Sequence, residues 1–169
     1  GNEHLQTPGA YALDVTKLTV QVRELGISGA EAESILRHTY KIQCELADAY
    51  NVLFILSLAD TERETDRLLE ALQGLAAAQR GRRRFKEPAE LPEVPPLRML
   101  PRAAFFASAE SVAYSLAVGR IAAEQIMFYP PGIPLLCPGE EITQSVLDYI
   151  RAMQHLGLKV VGPQDTSLG

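Results

Sequence analysis

Between residues 80 and 101 the chain runs Arg80-Gly81-Arg82-Arg83-Arg84-Phe85-Lys86 and then places Pro88, Pro92, Pro95, Pro96 and Pro101. Each proline locks φ and removes a backbone donor, so no regular element is expected to cross this stretch. A single sheet or helical layer spanning all 169 residues is therefore not expected. The sequence predicts an α+β protein of two small modules, residues 1–79 and 102–169, joined by a Pro/Arg-rich linker over 80–101. In each module, small antiparallel or mixed sheets are expected to pack with amphipathic helices. The basic run Arg80–Lys86 reads as a solvated surface segment. An RNA contact is the weaker reading, because no aromatic stacking pattern accompanies the charges.

In the first module, Leu18, Val20 and Val22 alternate with Thr19, Gln21 and Arg23, the period of a half-buried strand. Ser28-Gly29-Ala30-Glu31 has the capping-box pattern, and Ala32, Ile35, Leu36 and Tyr40 follow at helical spacing. Alternation of Ile42, Cys44 and Leu46 predicts a second strand, and Asp48–Asn51 a tight turn. The unbroken apolar run Val52–Leu56 predicts a third strand covered on both faces. Thr61–Glu64 repeats the capping box ahead of a longer helix whose stripe is Leu68, Leu69, Leu72, Leu75 and Ala76. The order is β-α-β-β-α.

The second module is predicted to contain a short helix capped by Ser111 and running to Ala117. An amphipathic helix follows, with Ile142, Val146, Leu147, Ile150 and Met153 on one face, closed by Gly157. Leu158–Val161 reads as a last short strand. Between them lies the most unusual stretch, with Pro130, Pro131, Gly132, Pro134, Pro138 and Gly139 around two short apolar segments. Such a backbone is stiff and follows an uncommon path. It serves either as a rigid connector or as a wall that passes close to a ligand.

The charge balance is −5, the pI about 5.2 and the hydrophobic fraction 47%. This is globular composition, and nucleic acid is not an expected partner. No apolar run approaches the ~20 residues of a membrane span, and no charged-then-apolar leader opens the chain, so a cytoplasmic protein is expected. Cys44 and Cys137 lie far apart in apolar surroundings and read as free thiols. No metal site, Walker loop, dinucleotide fingerprint or nucleophilic triad is present as a motif.

Three carboxylates near the Pro/Gly stretch have alternative readings. Glu124, among Ala122, Ala123, Ile126 and Phe128, must be paired, solvated or protonated. It serves as a structural salt bridge, with Arg120 if the stretch is helical or with Arg102 if it is a strand, or as an anionic wall for a cationic ligand. Glu141 suits the positive end of the following helix. Glu140, directly after Pro-Gly, is the better placed for a specific polar contact.

The segment Tyr129-Pro130-Pro131-Gly132-Ile133-Pro134-Leu135-Leu136-Cys137-Pro138-Gly139-Glu140-Glu141-Ile142 resembles a signature of the ornithine/lysine/arginine decarboxylases, fold-type I enzymes that use pyridoxal phosphate. Gly119–Glu124, Asp14–Leu25, Gly26–Gly29, Ile42–Asp48 and Asn51–Leu56 are similar to the same family. The resemblance covers nearly the whole chain and is loosest in the linker.

The resemblance implies a carboxy-terminal region, with residues 1–79 as the last part of the pyridoxal-phosphate fold and 102–169 as a decarboxylase carboxy-terminal module. It implies that lysine, ornithine or arginine loses CO₂ to give a diamine or agmatine. It places the Schiff-base lysine, in a Ser-x-His-Lys sequence, in a large amino-terminal domain that this chain lacks. Of Lys17, Lys41, Lys86 and Lys159, none follows a histidine. No catalytic residue is therefore expected here, and no cofactor bound covalently to this chain. Glu124, Tyr129, Pro131 and Gly132 are implied to lie beside the substrate, with Arg120 and Glu140 as structural neighbours. The expected partners are the amino-terminal domain, a basic amino acid and further copies of the subunit, in a homodimer or higher oligomer. The competing expectation is a free-standing ligand-sensing module for a small cationic metabolite.

Overall fold

The computed structural model describes residues 7–81, 90–129 and 132–163. It is α+β, with four α-helices and two three-stranded antiparallel sheets among these residues. The chain divides into two units, Gly1–Arg84 and Phe85–Gly169.

In the first unit, β1 (Lys17–Gln21) and β2 (Leu46–Ala47) flank β3 (Asn51–Ile55), both antiparallel to it. The register sets Leu18 opposite Phe54 and Val20 opposite Val52. Helices α1 (Gly29–His38) and α2 (Glu62–Ala78) complete the unit. Its core gathers Val22, Ile27, Leu36, Val52, Phe54, Leu68 and Leu75. Both helix starts form as their sequences require. Ser28 Oγ accepts from the Glu31 amide at 3.0 Å. Thr61 Oγ1 accepts from the Arg63 amide at 3.3 Å, while the Glu64 carboxylate accepts from the Thr61 amide at 2.9 Å. These bonds satisfy amides that have no intrahelical partner.

The Asp48–Asn51 turn is held by Asp48 Oδ1, which accepts from the amides of Tyr50 and Asn51, each at 2.7 Å. Gly29, the first residue of α1, packs directly against it. A Cβ there would stand 2.3 Å from the carbonyl oxygens of both Asp48 and Asn51.

Three local expectations in this unit are corrected. The second strand is only Leu46–Ala47, because the chain leaving α1 bonds to the helix end instead of a neighbouring strand. Lys41 takes φ 58, and the Ile42 amide donates to the Leu36 carbonyl at 3.0 Å. β3 is not covered on both faces: Val52 and Phe54 are buried, whereas Ile55 is 45% exposed. One layer of helices supplies one core, so only alternate residues reach it. Leu69 is exposed on α2, where Ala71 takes the buried place beside Leu68 and Leu75.

The second unit contains α3 (Pro101–Phe106), β4 (Ile126–Phe128), β5 (Ile133–Leu136), α4 (Gln144–His155) and β6 (Val160–Val161). The strand order is β5-β4-β6. Pro134 sits in β5, an edge strand, where its missing donor is tolerated. α4 buries the predicted stripe Val146, Leu147, Ile150 and Met153, and Thr143 Oγ1 caps it at the Val146 amide, 3.3 Å away. Glu141 does not cap this helix; its carboxylate binds Arg98.

Two further expectations change. Pro101 does not forbid structure but starts α3, since at the first helical position its missing N–H costs nothing. Ser111 caps no helix. The turn after it is a short 3-10 segment, Tyr114–Leu116, with Ala113 at its cap position and no side-chain cap bond.

Residues 96–99 are bonded into this unit. Leu97 bridges Glu140, the Glu141 amide donates to the Pro96 carbonyl at 2.9 Å, and the Met99 amide donates to the Gly139 carbonyl at 3.0 Å. Gly139 takes φ +93, and a Cβ on it would lie 2.2 Å from the Met99 carbonyl oxygen. The Pro-Gly pair thus lets two backbones pass at van der Waals distance.

Candidate functional site

Three backbone segments meet around Gly139–Ile142. On one side lie Pro96–Met99. On the other, Gly119–Ala122 run antiparallel: Ile121 bridges Glu141, and the amides of Gly119, Ala122 and Ile142 donate to Ile142, Glu140 and Arg120 carbonyls, each at 2.8 Å. This ladder fixes the base from which residues 120–124 project.

An open cleft of about 1250 Å³ lies in this unit, between the Gly119–Glu124 segment and residues 107–117. Leu136 and Leu147 contribute apolar wall, and Glu110, Tyr114, Arg120 and Glu124 the main polar groups. Tyr114 is firmly placed. Its hydroxyl donates to the Leu147 carbonyl, and the Arg151 guanidinium lies 4.5 Å from its ring centre. Burial pushes the phenol up to about 12.

Glu124 is exposed, on an irregular stretch between Ile121 and β4 that is neither helix nor strand. Arg120 binds Glu110, ten positions back in sequence. That partner was not read from the sequence: Glu110 belongs to no periodic pattern, and the contact depends on the return path of the chain. Tyr114 was missed as a cleft residue for the same reason.

Of the other predicted positions, Tyr129, Gly132 and Glu140 do not line this cleft. Tyr129 is 67% exposed at the end of β4. Gly132, at φ +87, closes the β4–β5 turn, its amide donating to the Phe128 carbonyl at 2.8 Å. Pro131 lies outside the described residues. Glu140 accepts from the Cys137 amide at 2.7 Å, so its carboxylate braces the Cys137–Glu140 turn. The structure therefore brings Arg120 and Glu124 to one cleft and sets Tyr129 and Gly132 on a neighbouring turn. Among the described residues no group of His, Cys, Asp and Glu has the arrangement of a metal site. No described helix is long and apolar enough to cross a membrane.

Residues 70–165, which include the ladder and the cleft, match the family described as Orn/Lys/Arg decarboxylase, C-terminal domain. The chain belongs to this family. Its likeness to curated family proteins extends beyond the matched domain. It is 44% identical to the arginine decarboxylase of Bacillus anthracis over 99% of its own length and 34% of that protein. It is 48% identical to the arginine decarboxylase of Halalkalibacterium halodurans over 98% of its length and 34% of the relative. The chain thus spans about a third of the length of these relatives. The constitutive lysine decarboxylase of Escherichia coli shares the fold, with a TM-score of 0.67 at 21% identity, over 96% of this chain and 32% of that one.

Proposed function

We propose that this chain is the carboxy-terminal third of a basic-amino-acid decarboxylase whose substrate is arginine. The observation that carries the reading is collinearity. Arginine decarboxylases match from end to end of this chain, as given above, whereas the constitutive lysine decarboxylase of E. coli matches by sequence over only 28% of it. The whole protein would release CO₂ from arginine and yield agmatine.

Pyridoxal phosphate is the cofactor of this reading, supplying an electron sink for the carbanion left at Cα. The described residues do not fit its covalent attachment. Lys17, Lys41 and Lys159 are exposed. Lys17 is engaged by Asp14, and Lys41 Nζ donates to the His38 carbonyl at 2.9 Å. None of the three lines the cleft. Lys86 lies outside the described residues, and none of the four lysines follows a histidine; this reading therefore assigns the attachment lysine to the rest of the whole protein. The exposed carboxylate of Glu124 is the group suited to a substrate's distal cation, because a guanidinium pairs with a carboxylate through charge-assisted hydrogen bonds.

The test is the substrate profile of the whole protein supplied with pyridoxal phosphate. CO₂ release should be most efficient, by kcat/KM, from L-arginine, and lower from L-lysine and L-ornithine. Equal efficiency on all three, or a preference for lysine, would overturn the assignment.

A further inference from the structure

The second unit leaves bare several side chains that a self-sufficient domain would cover. Leu100, Phe105 and Phe106 are 69–73% exposed. They lie at the two ends of one short helix, α3. Leu100 is the N-cap of α3, at the point where the chain passes over Gly139. Phe105 and Phe106 end α3 with their rings edge-to-face, 5.2 Å between centres.

Helix α3 is the informative element. Six residues are too few to hold a helix by backbone bonds alone. Its one buried residue is Ala104, while both aromatic rings face outward. The burial that ordinarily stabilises such an element is on the wrong side for this unit and on the right side for something laid over it.

We propose that this face, centred on Phe105 and Phe106, is the docking surface for the remainder of the decarboxylase polypeptide. The inference rests on the reading under Proposed function. It commits to that occupant because the relatives devote most of their length to sequence this chain does not span. Charge favours the same choice. The Arg102 guanidinium lies 5.8 Å from the Phe106 ring centre, so a cation stands at the edge of the patch. A second copy docked here about a two-fold axis would bring like charges together, whereas an apolar surface edged with carboxylates would meet complementary ones.

The experiment compares amide hydrogen exchange of residues 97–106 in this chain and in the whole protein, with arginine decarboxylation measured on the same whole-protein sample. Exchange at Ala104 and its neighbours should slow by about tenfold or more in the whole protein. The double variant Phe105→Asp/Phe106→Asp should restore fast exchange there, yet leave the circular dichroism of this chain unchanged because both rings are exposed. Equal exchange rates in the two wild-type forms would overturn the docking surface whether or not arginine is consumed. Protection without arginine turnover would sustain it and overturn only the substrate. A concentration-dependent dimer of this chain that the double variant abolishes would also overturn it, by making a second copy the occupant.

Discussion

Arg98 Nε donates to Glu141 Oε2 at 2.7 Å, joining a proline-rich approach to the Pro-Gly turn that follows β5. The pair spans 43 positions in sequence. It marks where residues 96–99 become part of the second unit. Its side chains are 57% and 28% exposed, so the pair orients more than it stabilises.

The backbone beneath that pair is the more sensitive element. Gly139→Ala forces a Cβ onto a φ of +93 and against the Met99 carbonyl oxygen. Left-handed backbone at a non-glycine residue costs about 1–3 kcal/mol, and the clash adds to it. Arg98→Ala should cost under about 1 kcal/mol. Urea unfolding of both variants should show the glycine variant far less stable. Near-equal midpoints would contradict the close approach.

Helix α2 separates a buried stripe from an exposed one within adjacent residues. Leu75 is fully buried and Leu69 is 55% exposed. Leu75→Ala should cost about 2–5 kcal/mol through lost burial and the cavity left behind. Leu69→Ala should change stability by less than about 0.5 kcal/mol. Thr61→Ala, which removes the cap of the same helix, should fall between them at about 1 kcal/mol. Thermal denaturation of the three variants would establish the order.

The two cysteines should differ in reactivity. Burial pushes the Cys44 thiol up to about 11, and the nearby Glu33 carboxylate pushes in the same direction. Cys137 is partly exposed, and its thiol is also raised, by burial and then by Glu140. Because the thiolate is the nucleophile, Cys137 should be alkylated first at pH 8 and Cys44 only as the unit opens. The Cys44 shift also has a sign in stability. Its folded value lies above the ordinary 9.0, so the unfolded chain ionises first as pH rises. Stability from this group is present below pH 9 and declines between about 9 and 11. Cys44→Val should flatten that part of the pH–stability curve, and an unchanged slope would count against a buried thiol.

Glu124 carries the substrate prediction. In the whole protein, Glu124→Gln keeps shape and removes charge. A lost charge-assisted bond to a guanidinium is worth about 1.5–3 kcal/mol, so KM for arginine should rise by about tenfold to a hundredfold with kcat within a few-fold. Steady-state kinetics at fixed cofactor would measure it. Unchanged KM and kcat would remove Glu124 from the site.

Features set by neighbours a few residues apart were legible in the chain itself. Ser28, Thr61 and Thr143 lie where helices begin, although only the first two were read as caps. The α4 stripe follows from i, i+3 and i+4 spacing, and the Asp48–Asn51 turn from a side chain that bonds its own backbone. These interactions close within one turn of chain, so residue order alone determines them. The Tyr129–Ile142 segment likewise carried its family in its own order of prolines and glycines.

Tertiary structure decided the rest. Periodicity says which face of an element is apolar, not what covers it. Thus Leu68 and Leu69 looked alike in a stripe until packing buried one of them. The second strand shrank to Leu46–Ala47 because the end of α1 captured the Ile42 amide. Glu110 reached Arg120, and Pro96–Met99 reached Gly139–Glu141, through contacts between segments whose separation in sequence carries no signal. Such contacts form only when the chain returns to the same place, and loop closure, not local propensity, governs that return.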